Sequence, residues 1–95
     1  MNKLEEARIT INEVDTKIIE LFVKRMAAAK MVAEYKKENN KPIYDAEREK
    51  ILIEQNLKLL NNKELEKYYL IFLQGVLKAS KDYQEDLIKW KSMVY

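Results

Sequence analysis

Three arginines, Arg8, Arg25 and Arg48, stand among fifteen lysines in this 95-residue chain. Each lies close to an apolar stripe rather than on a plainly solvated face. In "LFVKRMAAAK", residues 21–30, Leu21, Phe22, Met26 and the alanines read as the buried side of a helix, with Arg25 among them. An unpaired buried guanidinium is very unfavourable, so Arg8, Arg25 and Lys36 each require an anionic partner or water. Taken singly, each has an ordinary solution: Asp15, a glutamate of another helix, or a long stem that snorkels to solvent. Arginine, however, offers a rigid fork that grips a carboxylate bidentately, which lysine cannot reproduce. Its use at these places points to a carboxylate-bearing ligand held between helices.

Two further sets of polar residues have helical spacing. Asp45, Arg48 and Glu49 stand at i, i+3 and i+4, and Ser80 and Gln84 at i and i+4, so each set shares one helix face. Alone, the first reads equally well as an N-cap with surface ion pairs, and the second as a helix–helix hydrogen bond. Arg25 and Lys36 lie about 16 Å apart along a helix axis, so two long side chains reaching toward each other span one small molecule. The chain has no His and no Cys. Imidazole bases, thiolate nucleophiles, disulfides and the commonest metal ligands are thereby excluded.

The elements that must position these groups are helical. One Gly, one Pro, 47% apolar and 36% charged residues describe an all-α protein of one domain, residues 1–95, rather than a sheet or a disordered chain. Leu4, Arg8, Ile11, Asp15, Ile18, Phe22, Arg25, Ala29, Val32 and Lys36 keep an unbroken 3,4 spacing, which predicts one helix over about residues 3–38. Breaks at "ENNKP" (38–42) and "NNK" (61–63) divide the rest. Pro42 stops the first run, Asp45 caps a second helix to about Leu60, and a third is expected from about Lys63 to Trp90. Leu65, Tyr69, Phe72, Val76, Ser80, Tyr83 and Leu87 share a side of that third helix, and Gly75 within it suggests close packing.

A helix of 36 residues is about 54 Å long, whereas a compact chain of this size has a radius of gyration near 12–13 Å. The first helix must protrude, and its continuous stripe calls for a second chain, most simply in an intertwined homodimer. Arg8 is about 25 Å from Arg25 on the same helix and cannot join it. If two first helices pair antiparallel about Ile18, Arg8 of one protomer lies opposite residue 28 or so of its partner. Each of two equivalent sites then borrows one arginine from the other chain.

Taken in order, "R" at 8, "VD" at 14–15, "KR" at 24–25, "AEYK" ending at Lys36, "KPIYDAERE" at 41–49, and Ser80 and Gln84 resemble the all-helical chorismate mutases of the shikimate pathway, over nearly the whole chain. No single piece is specific; the ordered set is. The resemblance implies an intertwined dimer of three-helix chains. It also implies a Claisen rearrangement of chorismate to prephenate without cofactor, metal or covalent intermediate. By the same resemblance Arg25, with Arg8 of the other subunit, would clamp the substrate carboxylates. Lys36 would contact the ether oxygen and a carboxylate, and Gln84 would donate a second hydrogen bond to that oxygen. Arg48 would support the carboxylate end, Glu49 would accept from the ring hydroxyl beside the Asp45 backbone, and Ser80 would line the site.

Two other readings remain. Isochorismate pyruvate-lyases share this fold and clamp, although Lys36, Arg48, Glu49 and Gln84 together favour the mutase. A non-catalytic dimerisation or regulatory module would use the same charges only to set register. Nucleic-acid binding is disfavoured because 18 basic residues are interspersed with 16 acidic ones. No apolar run approaches the roughly 20 residues of a membrane span, and "MNKLEEAR" has no signal region, so a cytoplasmic, stand-alone enzyme is expected. Tyr35, Tyr44 and Tyr83 are read as aromatic core or rim.

Overall fold

The computed structural model describes the backbone of residues 1–94 and the side chains of residues 1–89. Three helices follow one another: α1 (Lys3–Glu38), α2 (Ala46–Leu60) and α3 (Glu66–Val94). Among the described residues there is no strand.

Helix α1 begins where the Asn2 side chain accepts from the Glu5 amide at 2.9 Å, with Glu5 and Glu6 in the first turn facing the positive end of the helix dipole. Its end is set by asparagines. Asn39 is the C-cap, and Asn40 takes the left-handed conformation at φ 52°. The Lys41 amide then donates to the Lys36 carbonyl at 2.8 Å and the Asn40 amide to that of Lys37 at 3.3 Å, so the last carbonyls of α1 are satisfied in the Schellman manner. Pro42 prevents the helix from resuming. Asp45 caps α2, accepting from the Arg48 amide at 3.0 Å. Asn61, at φ 45°, closes that helix.

Two expectations for α3 change. It starts at Glu66, not Lys63, because the Asn62 side chain accepts from the Leu65 amide at 3.2 Å and holds a turn ahead of the helix. It also continues past Trp90 to Val94, while the Trp90 side chain lies outside the described residues. Gly75 is not a close-packing point within the chain: a Cβ built there meets nothing within 4 Å.

The buried core lies at one end of the molecule. Ala29 and Ala33 present little bulk, which lets α3 approach α1 and bury Leu73, Leu77, Ser80 and Gln84, with Ile43 from the α1–α2 connection beneath them. The line 73, 77, 80, 84 is therefore the inward face of α3. The expected line is rotated from it, and Leu65 and Phe72 are exposed. Tyr69, Phe72 and Val76 instead join Ile18 and Phe22 of α1 and Leu52 of α2 around an open apolar groove of about 700 Å³.

The first two-thirds of α1 has no cover. Ile11, Val14, Ile18 and Phe22 are 41–54% exposed, and the chain extends 58 × 28 × 15 Å with a radius of gyration of 17.0 Å. Its accessible surface is 8035 Å². A compact monomer of this mass would expose only about 5,800 Å².

Candidate active site

A cavity of about 300 Å³ opens where the C-terminal half of α1, the start of α2 and the middle of α3 converge. Arg25 and Lys36 reach it from α1, Asp45, Arg48 and Glu49 from the first turn of α2 and its cap, and Ser80 and Gln84 from α3. Seven of the eight residues singled out in the sequence thus share one space. Arg8 does not: it lies on the uncovered part of α1, fully outside the cavity.

Helix periodicity explains the supply from each element. Positions 25, 29, 32 and 36 repeat every three or four residues, so Arg25 and Lys36 end a stripe whose middle, Ala29 and Val32, forms the apolar floor. Arg25 lies at the seam, lining both the cavity and the apolar groove. Its position in a hydrophobic run thus has a structural meaning: the stripe is also a wall.

The polar groups are held to different degrees. Lys36 Nζ donates to the Ile43 carbonyl at 2.8 Å, tying the end of α1 to the connection before α2 and fixing the ammonium at the cavity edge. The Asp45 carboxylate is occupied by capping α2. Gln84 is only 7% exposed, and its Nε2 donates to the Ser80 hydroxyl at 3.0 Å and to the Ser80 carbonyl at 3.2 Å. Its Oε1 is buried without a hydrogen-bond partner among the described residues. Turning this amide over would let the Ser80 hydroxyl donate to Oε1 and present Nε2 on the opposite side. The guanidinium groups of Arg25 and Arg48 make no ion pair or side-chain hydrogen bond among the described residues, which leaves both open to an anionic ligand.

One charged cavity residue was not legible among the candidates. Lys81 of α3 places Nζ 3.0 Å from Glu49 Oε2 and 4.7 Å from the centre of the Tyr44 ring. The only sequence signal was its place directly after Ser80 and one turn before Gln84, and a lone lysine in a lysine-rich chain does not stand out. Tyr44 is accordingly a rim residue, while Tyr35 stacks under Lys41 Nζ at 5.5 Å and Tyr83 is half-buried.

Chemically, four cations (Arg25, Lys36, Arg48 and Lys81) face two carboxylates, both already engaged, beside one buried amide and one hydroxyl. Such a site suits a small polyanion that needs orientation and charge stabilisation. Among the described residues no three of Asp, Glu, His and Cys gather closely enough to hold a metal ion, and no helix is long and apolar enough to cross a membrane.

Residues 7–85 match the family model described as chorismate mutase type II. A chorismate mutase of Methanocaldococcus jannaschii is 34% identical over 91 residues, covering 90% of this chain and 92% of its own length. The bifunctional chorismate mutase/prephenate dehydratases of Buchnera aphidicola and Aquifex aeolicus are 41% identical over 69 residues and 38% over 77, covering 73% and 81% of this chain. The chain spans 18% and 20% of the length of those two proteins. No solved structure gives a significant match. With a family match across most of its residues and a relative matched nearly end to end, this chain belongs to the type II chorismate mutase family.

Proposed function

We propose that residues 1–95 form one catalytic domain that isomerises chorismate to prephenate, in aromatic amino acid biosynthesis, as a cytoplasmic homodimer with two shared sites. The observation that carries this reading is the gathering of Arg25, Lys36, Arg48, Glu49, Ser80 and Gln84 around one cation-rich cavity.

The reaction is unimolecular: the ether C–O bond breaks as a new C–C bond forms within one molecule, with no atom or electron exchanged. A protein can accelerate such a step in two ways, by holding the flexible dianion in its reactive chair and by stabilising negative charge that grows on the ether oxygen. Arg25 and Arg48 hold the carboxylates from one chain. Arg8 of the partner subunit completes the clamp. Lys36 and Gln84 donate to the ether oxygen, Glu49 accepts from the ring hydroxyl, and Ser80 orients Gln84.

The homodimer is supported by what one chain leaves exposed. About 2,200 Å² more surface is accessible than a compact monomer of this mass would show, and the uncovered residues form an apolar row along α1 that continues into the groove beside Arg25. A second copy of the same helix fits that row and carries an arginine toward the cavity, whereas a monomer leaves the clamp half built.

Loss of chorismate absorbance on adding purified protein, with no metal or nucleotide present, tests the activity. Faster pyruvate release from isochorismate than turnover of chorismate would assign the lyase reaction instead, and no turnover of either would leave a non-catalytic dimer. Gln84 supplies a further check. A glutamate at this buried position can donate to the ether oxygen only when protonated. Gln84→Glu is therefore expected to gain activity as pH falls, while the parent protein keeps a broad pH profile. Equal rates of the two proteins at neutral pH would contradict the role given to Gln84.

A further inference from the structure

Lys81 has no part in the chemistry assigned above, yet it ties two walls of the cavity together. Its ammonium joins α3 to α2 through Glu49 at 3.0 Å and to the α1–α2 connection through the Tyr44 ring at 4.7 Å. The Lys81 and Glu49 side chains are only 33% and 22% exposed, whereas the pairs Lys17–Glu20 and Lys78–Asp82 lie within single helices with every side chain at least 60% exposed. A pair so sheltered is less screened than these, and its geometry is held from both ends.

A carboxylate in a cavity that receives a dianion poses a problem. Glu49 is needed as a hydrogen-bond acceptor, but its negative charge opposes the substrate. Both demands are met if a fixed cation holds one of its oxygens, leaving the other free to accept while the charge is offset. Arg25, Arg48 and Lys36 carry no such contact to Glu49, and Asp45 caps α2.

We infer that Lys81 is a positioning residue of this site, which holds the Glu49 carboxylate in its accepting orientation and offsets its charge toward a dianionic substrate, with the Tyr44 ring seating the ammonium. This rests on the mutase reading and on Glu49 as acceptor for the ring hydroxyl. The expected signature lies in binding rather than in the chemical step. Repulsion between Glu49 and the substrate acts in ground and transition states alike, so it moves KM more than kcat.

The experiment is a double-mutant cycle on chorismate kinetics with Lys81→Met, Lys81→Arg, Glu49→Gln and the double variant Lys81→Met/Glu49→Gln. Lys81→Met should raise KM about tenfold with a smaller change in kcat, an estimate set by one like-charge interaction across a partly solvated cavity. Lys81→Arg should recover most of the loss. In the Glu49→Gln background the same Lys81→Met change should move KM by less than about twofold, because no carboxylate remains to be offset. An unchanged KM in Lys81→Met overturns the inference, and so does an equal rise in both backgrounds, which would put Lys81 on the substrate directly. Should Lys81→Met not fold, Lys81→Gln takes its place with the same expectations. A parent protein that turns over no chorismate overturns the mutase reading and this inference together; an active parent matched by Lys81→Met overturns this inference alone.

Discussion

Arg25→Ala is expected to lower kcat/KM for chorismate by roughly 10²- to 10⁴-fold while the helical dimer survives. The guanidinium has no anionic partner among the described residues, so under the proposed function the energy of its bidentate contact goes to a ligand carboxylate. Removing one member of a desolvated charge pair costs about 3–5 kcal/mol, and each 1.36 kcal/mol is a factor of ten in rate. Stability should change little, since truncation removes an unpaired cation rather than a packed core group; Arg25 is half-buried, and the buried contacts of α1 come from Ala29 and Ala33. Turnover and thermal unfolding measured on the same preparation separate the two effects.

Arg8→Ala should cause a comparable loss, although Arg8 lies on the uncovered part of α1, outside the cation-rich cavity of its own chain. The decisive measurement is a mixed dimer of one Arg8→Ala and one Arg25→Ala subunit. One of its sites combines the intact Arg25 of the first with the intact Arg8 of the second; the other lacks both. Equal amounts of the two inactive variants, unfolded and reassociated at random, make half of the dimers mixed, so about one quarter of the parental activity should return. No recovery at all would refute the shared clamp.

Lys36→Met should also have a large effect, a fall of roughly 10²- to 10³-fold, the magnitude found when one donor to a developing negative charge is removed. Because the ether oxygen gains its charge only as the bond breaks, kcat and kcat/KM should fall together. A second consequence is structural. The Ile43 carbonyl loses its 2.8 Å donor, so the connection before α2 should loosen, with a loss of about 1 kcal/mol in stability measured by denaturant unfolding. A variant that changed KM alone would place Lys36 on a carboxylate only.

Much of the fold was legible because helix signals are local. The 3,4 spacing from Leu4 to Lys36 marked α1 to its last residue, and Asp45 before "AEREK" marked the start of α2. The start of α3 was misplaced because a turn closed by the Asn62 side chain and a first helical turn look alike in sequence. Gly75 is a related case: a glycine inside a helix signals missing bulk, but not whether a neighbour in the same chain uses the space.

What the sequence by itself determined is the set of polar groups that each helix can present on one face. Arg25 with Lys36, Asp45 with Arg48 and Glu49, and Ser80 with Gln84 follow from 3.6 residues per turn, with no knowledge of neighbours. Only the tertiary structure decided that these faces meet around one cavity, and that α3 turns Leu73, Leu77, Ser80 and Gln84 inward while Tyr69 and Phe72 line the groove. It alone paired Lys81 with Glu49, 32 positions apart in the chain. The physical reason is that periodicity sets the phase of side chains around one axis, whereas the rotation of one axis against another is set by how small residues such as Ala29 and Ala33 let two helices approach.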